Sequence, residues 1–378
     1  MGSQSSRRVA FAAVASLLIF SGATRADEDL KGPPVSEVAD TGGLLDVLDK
    51  PSMPSALAAK KLLVGMTRAG NNFVAVGPRG HIVVSKDGGQ TWVQAKVPVS
   101  SDLTAVYFAS ESHGWAVGHD GVVLVTTDGG ATWTKQLDGR GASEIIARDV
   151  KAKLDANPES EELQSMMAEA QRDVEMGPDK PFLDVWFEDD NHGFIVGAYN
   201  LILETKDGGQ TWTSWFDRVP NPQFMSLYAI RPIGGELYMA GEQGVFYVLD
   251  RAAERFVARP VDYQGTLFGI IDAGDAILTY GIKGNLFRST DGGVTWIKVD
   301  SQLAATIVGG AELGQGTVIL ADQGGRMSET HDGGQSFAPM RLPDTVPLTG
   351  IINAGDGRLG LIGQFGVAVV KAGTEPAP

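Results

Sequence analysis

The sequence predicts an all-β chain: a seven-bladed β-propeller of four-stranded antiparallel blades, with a helical hairpin inserted between the second and third blades. Three observations carry this. An eight-residue box recurs five times, at 85–92 (SKDGGQTW), 126–133 (TTDGGATW), 205–212 (TKDGGQTW), 289–296 (STDGGVTW) and 330–337 (THDGGQSF). The boxes recur at about 40 residues or twice that, intervals of 41, 79, 84 and 41, and about 40 residues is the period of one four-stranded blade. Around each box, apolar runs and tight turns return in the same order, and seven such units close a ring that removes exposed sheet edges.

Each box reads Ser/Thr-x-Asp-Gly-Gly-x-Thr/Ser-Trp/Phe. It is a hairpin turn. The Ser or Thr ends one strand, and the Asp accepts hydrogen bonds from the turn's own backbone. The two glycines allow positive φ, and the Trp opens the next strand and packs under the turn as a large apolar anchor. Asp87 and Trp92, Asp128 and Trp133, Asp207 and Trp212, Asp291 and Trp296, and Asp332 and Phe337 are thus read as structural. A folding device is needed once per repeat, a catalytic residue once per protein.

The start of the chain reads differently. Arg7 and Arg8 precede an apolar run at 9–20, and small residues lead to Ala26. This is the order of a secretory signal peptide over 1–26, too short for a comfortable membrane span. Its removal takes away Arg7, Arg8 and Arg25, leaving 28 basic against 46 acidic residues, so the already negative chain becomes more so. That disfavours nucleic acid and broad adsorption to anionic lipid. There is no cysteine, so a disulfide, a thiolate metal site and a lipid-carrying cysteine are all excluded. The expected location is the periplasm.

Residues 27–61 form a Pro-punctuated lead-in. The propeller spans 62–373 in seven units: 62–92, 103–133, 182–212, 226–256, 267–296, 307–337 and 348–373. The fourth unit carries Asp250 to Phe256 in place of the box. The seventh ends after three strands, and the lead-in around 35–58 is expected to supply its fourth. The insertion, 141–181, holds two segments of helical periodicity, about 143–156 and 160–175, with Ile145, Ile146, Val150 and Leu154 at helical spacing in the first and Met166, Met167, Ala170 and Val174 on an apolar stripe in the second. It reads either as a cover for a blade or as a docking arm with a Met-rich face.

Strands alternate direction within a blade, so the boxes share one face and the turns between second and third strands share the other. These turns hold most of the side-chain variety of the repeat, which makes them the candidate recognition surface. Arg79, His119, Asp120, Tyr199, Glu242, Lys283, Gln323 and Phe365 are the candidate partner-binding residues. No catalytic motif, phosphate loop or metal-ligand spacing is present. His113 and His192 hold equivalent turn positions and read as structural. No enzyme activity and no cofactor or metal is expected.

The boxes resemble the Asp-box, or bacterial neuraminidase, repeat, which implies fold more than function. Sialidases also carry a Phe-Arg-Ile-Pro motif; the nearest strings here, Phe287-Arg288-Ser289-Thr290 and Ile230-Arg231-Pro232-Ile233, do not fit it. The fuller unit at 113–133 and 192–212, His-Gly-Trp/Phe-x-Val-Gly followed by the box, is similar to the photosystem II assembly and stability factor family of exported seven-bladed propellers. The resemblance covers about residues 62–370. It implies a non-enzymatic scaffold or assembly factor for a membrane complex of the cell envelope. In a non-photosynthetic host, a resistance-nodulation-division type transporter is the implied partner. Photosynthetic members use an arginine patch; here Arg79 and Lys283 are the cations at the candidate turns, beside Asp120 and Glu242, so a different partner is expected. A sialidase-like glycoside hydrolase and a carbohydrate- or ligand-binding propeller remain the alternatives.

Overall fold

In the computed structural model, residues 46–340 and 345–372 are described. The stretch expected to be a signal peptide, the lead-in up to residue 45 and the last six residues lie outside them.

Seven antiparallel sheets follow one another along the chain, each in simple up-and-down order. They span 65–94, 103–137, 182–214, 227–258, 267–300, 307–340 and 348–371, numbered here as blades 1 to 7. The innermost strand of each blade touches that of the next, and the last touches the first, so the ring closes. Second strands such as Gly114–Gly118 (GWAVG), Gly193–Gly197 (GFIVG) and Ile277–Gly281 (ILTYG) are buried at every position. They are sandwiched between two neighbouring blades, which is why they read as unbroken apolar runs rather than alternating ones.

The apolar core is divided accordingly into seven clusters, one at each joint between blades. The box is part of that joint as well as a turn. In the first box, Ser85 Oγ donates to Asp87 Oδ1 at 2.8 Å, and Asp87 Oδ1 accepts the Thr91 N–H at 2.9 Å. Asp87 Oδ2 takes the Thr91 hydroxyl at 2.5 Å. The second glycine then faces the preceding blade: a Cβ on Gly89 would lie 2.3 Å from Val369 of blade 7. The aromatic that follows is wedged into the same joint. Trp133 lies in the cluster of blades 1 and 2, Trp212 in that of blades 2 and 3, and Phe337 in that of blades 5 and 6. Blade 4 lacks a box, yet Phe256 fills the equivalent place, edge-on to Phe194 and Trp215 of blade 3.

Hydrogen bonds to the charged form hold the box carboxylates below the ordinary Asp range. Thr91 and Thr295 dominate for Asp87 and Asp291, each drawn down to about 2. Asp207 and Asp332 are lowered in the same way, and in Asp128 the same bonds outweigh partial burial. A depressed carboxylate contributes stability that is complete above its unfolded pKa, about 4, and is lost as pH falls through the folded value. The melting temperature is therefore expected to drop between about pH 4 and 2, and Asp87→Asn with Asp291→Asn to flatten that drop. A pH-independent melting temperature across this window would contradict the account.

Blade 7 counts three strands among the described residues. The expected donor of a fourth, 35–58, is described only from residue 46. Within that part, the Ser52 N–H donates to Val97 O at 3.0 Å, the Ser100 N–H to Val47 O at 2.8 Å, and Leu48 is buried in the cluster of blades 1 and 2, while Ala58 packs in the cluster of blades 7 and 1. Residues 35–45 are not among those described. The seam between blades 7 and 1 is made like the other joints. Thr349 Oγ1 donates to Leu63 O at 2.5 Å, as Thr104 Oγ1 donates to Phe182 O at 2.7 Å between blades 2 and 3. Arg358 Nη1 adds a bond to Gly88 O at 3.2 Å.

The insertion forms helix α1 (Gly139–Ala156) and helix α2 (Glu161–Met176). α1 starts four residues earlier than its periodicity suggests, because Asp138 caps it by accepting the Arg140 N–H. Ala142, Ile146 and Val150 recur at four-residue intervals and are buried against blades 2 and 3. Asp149 accepts the Ser214 N–H at 2.8 Å and Lys153 reaches Asp217 at 2.5 Å, so α1 lies along the short outer strand of blade 3. Met166 of α2 is buried in the same cluster and Met167 packs on it; Val174 and Met176 face outward.

Candidate functional site

Two places present side chains that the fold does not require: the turns between second and third strands, and the central channel.

In blades 1 to 5 these turns are two-residue bends with both central residues at positive φ. Arg79, Asp120, Tyr199, Gln243 and Lys283 take the first of those positions, at φ 52–60°. A type I′ hairpin demands this geometry, and it matches the strand twist. Glycine holds the second position in four of the five, because a carbonyl or backbone carbon crowds it; a Cβ on Gly80 would sit 2.2 Å from Val99 O. In blade 3 Asn200 replaces it, its amide donating to Phe216 O at 3.0 Å.

The eight candidate residues divide by what their side chains touch. Asp120 Oδ2 accepts from Ser101 at 2.5 Å and Glu242 Oε2 accepts the Ser226 N–H at 2.9 Å, so both hold their own turns against the incoming chain. His119 and Gln323 are tied through the backbone, their N–H groups donating to Asp102 O and Thr306 O. Arg79 is tied at its N–H, which donates to Asp102 Oδ1 at 2.7 Å. Tyr199 is 57% exposed, with Lys180 Nζ 5.2 Å from its ring, and Phe365 is 69% exposed. Among the described residues, no hydrogen bond, ion pair or ring contact joins any two of the eight. They line one rim, one or two per blade, and do not converge. His113 and His192 are engaged in structure: His113 stacks on Trp115 and faces Asp190 at 3.3 Å, and His192 bridges Glu188 and Glu204 at 3.0 and 2.9 Å. The bond from Glu204 holds His192 above the usual histidine range.

The channel was not legible as a site from the turns alone. Lining the channel on the innermost strands stand Gly65, Ala105, Ala229, Gly269, Gly309 and Gly350, one per blade, and in blade 3 alone Asp184. Aligning those strands is the signal that would have found it. Asp184 is buried; its Oδ2 accepts the Ile230 N–H at 2.8 Å and pairs with Arg231 Nη1 of blade 4. Burial pushes the Asp184 carboxyl up against the pull of that guanidinium. Arg231 lies within the ring wall, yet 43% of its side-chain surface is open, onto a cavity of about 290 Å³. Desolvation opposes its charge, but Asp184 keeps its pKa above the usual value. Tyr280 lines the same cavity, pushed up by burial to about 12. Tyr228 and Phe268 also line it, in edge contact at 5.1 Å. Among the described residues no group of three His, Asp or Glu could hold a metal ion, and no helix is long and apolar enough to cross a membrane.

Comparison with known proteins adds to this geometry. The family model described as "Photosynthesis system II assembly factor YCF48" matches residues 90–151 and 163–252. The Photosystem II assembly lipoprotein Ycf48 of Synechococcus sp. (strain CC9902) is 28% identical over 157 residues, 41% of this chain. The solved structure "YCF48 bound to D1 peptide" superposes with a TM-score of 0.60 over 84% of this chain and 95% of that one, at 17% identity. This chain is similar to the photosystem II assembly factor family over the matched stretches, less than half of its length. The match to the Synechococcus relative spans about a third of that protein, 35% of its length. At 12% identity and a TM-score of 0.59, the GH74 enzyme of Niastella koreensis also superposes on this chain, over 85% of it and 54% of the enzyme. That likeness, and the one to the peptide-bound structure, speaks for the fold alone.

Proposed function

We propose that this chain is a non-enzymatic, exported binding factor that holds a segment of a membrane protein during assembly of an envelope complex. The observation that carries the reading is the rim: six non-glycine residues at positive φ and the exposed rings of Tyr199 and Phe365 stand on one face of a rigid ring. A protein of the same fold is named as bound to a D1 peptide, which supports a peptide segment as the kind of ligand. With Arg79 and Lys283 beside Asp120 and Glu242, the rim has mixed charge, which favours a partner other than a strongly acidic one. A periplasmic location and a transporter of the resistance-nodulation-division type as partner belong to this reading for a non-photosynthetic host.

The channel supports the absence of glycoside hydrolysis. That reaction needs two carboxylates about 5–10 Å apart. Asp184 is the one carboxylate among the described residues lining the cavity, and it is tied to Arg231.

The test is capture from cross-linked envelopes by the wild type and by Tyr199→Ala/Phe365→Ala. The paired substitution is expected to lower recovery of the partner roughly tenfold, as loss of aromatic anchors does at interfaces, with an unchanged melting temperature. Equal recovery would remove the rim from the proposal.

A further inference from the structure

We propose that the central channel is a carboxylate-binding site in which Arg231 is the reading group and Asp184 its positioning residue. This is independent of the rim reading.

A propeller needs only small side chains where the innermost strands converge, and six of seven blades comply. Asp184 is the exception, and a buried carboxylate is costly unless paired and hydrogen-bonded. It has both: the Ile230 N–H and Arg231 Nη1. Arg231 Nη1 also donates to Ile230 O at 2.6 Å. One end of the guanidinium is thereby fixed. Its Nε and Nη2 have no partner among the described residues, while much of the side chain faces the cavity. Two parallel N–H donors on one planar edge are the fork that takes a carboxylate with two bonds.

The remaining lining agrees. The cavity, about 290 Å³, is at the small end of ligand-binding pockets. Tyr228 and Phe268 supply apolar faces for the body of a small ligand, and Tyr280 adds a ring beside the ion pair. Asp184 does not cancel the site, because it occupies the far side of the guanidinium and prevents its rotation. The negative charge of the whole chain slows the approach of an anion, but is largely screened over the distances involved. The carboxylate can come from a small free acid or from the C-terminus of a peptide; the chemistry at Arg231 is the same.

The experiment is calorimetric titration of the purified full chain with acetate, with tri-alanine and with tri-alanine amide. Tri-alanine is expected to bind at least tenfold more tightly than its amide. Acetate binding with a similar heat would assign a free acid as sufficient; tri-alanine binding without acetate would assign the chain terminus. Arg231→Lys keeps the charge and the pairing to Asp184 but loses the fork, and is expected to weaken tri-alanine binding at least tenfold. Because an unpaired Asp184 can destabilise the fold, the second variant is Asp184→Ala/Arg231→Met, which restores the small residue of the other blades; it is expected to melt normally and to lose binding. Equal affinity for acid and amide, no binding of either acid, or full binding by Arg231→Lys would each overturn the proposal.

Discussion

Gly89→Ala is expected to destabilise the ring by roughly 2–4 kcal/mol, the combined scale of a left-handed side chain and an overpacked contact. Gly89 has φ +92°, and its added Cβ would meet Val369 Cγ2 at 2.3 Å and Cβ at 2.8 Å, both from the opposite end of the chain. The neighbouring Gly88, at φ +74°, has only the far end of Arg358 within 3.3 Å, so Gly88→Ala is expected to cost about 1 kcal/mol. Urea midpoints of the two variants separate backbone strain, common to both, from the seam contact, peculiar to Gly89. Adding Val369→Ala should recover part of the loss in Gly89→Ala and none in Gly88→Ala. Equal midpoints for the two glycine variants would show that the box does not press on the neighbouring blade.

The second large effect is at Phe256. This ring is fully buried, 6.1 Å from Phe194 and 5.9 Å from Trp215, centroid to centroid. Phe256→Ala is expected to cost about 3–5 kcal/mol, as deletion of a buried aromatic does where the walls are held apart by sheets. Phe256→Leu, close in volume, is expected to cost less than about 1.5 kcal/mol. Trp296→Ala makes the comparison, because that indole is only half-buried and should be the milder loss. If Phe256→Ala were no worse than Trp296→Ala, blade 4 would not depend on the ring that stands in for its missing box.

Much of this architecture can be read before folding, for reasons that differ by element. The box is local: Asp87 reaches back to Ser85 and forward only to Thr91, so seven residues of sequence contain the whole device. The second strands are legible because burial on both faces leaves only apolar residues. α1 is legible from Ile145, Ile146 and Val150, but its start depends on Asp138, a cap outside the periodic run. The other role of the box aromatic escapes such reading, because Trp133 and Trp212 meet residues of the preceding blade, across a joint that no repeat contains within itself. Asp184 and Arg231 escape it too. They are 47 positions apart, neither lies in a motif, and each is conspicuous only against its equivalents in the other blades. The rim turns were found by position, yet sequence cannot tell Asp120, whose carboxylate holds Ser101, from Tyr199, whose ring stands free of any hydrogen bond.

The bond between Arg358 and Gly88 joins residues 270 positions apart. A newly made chain can therefore assemble six blades and still present one raw flank, with Phe73 and Val83 waiting for partners that arrive last. Completion is set by the last blade, which begins at Leu348, about thirty residues from the end of the sequence, a slow and non-local event.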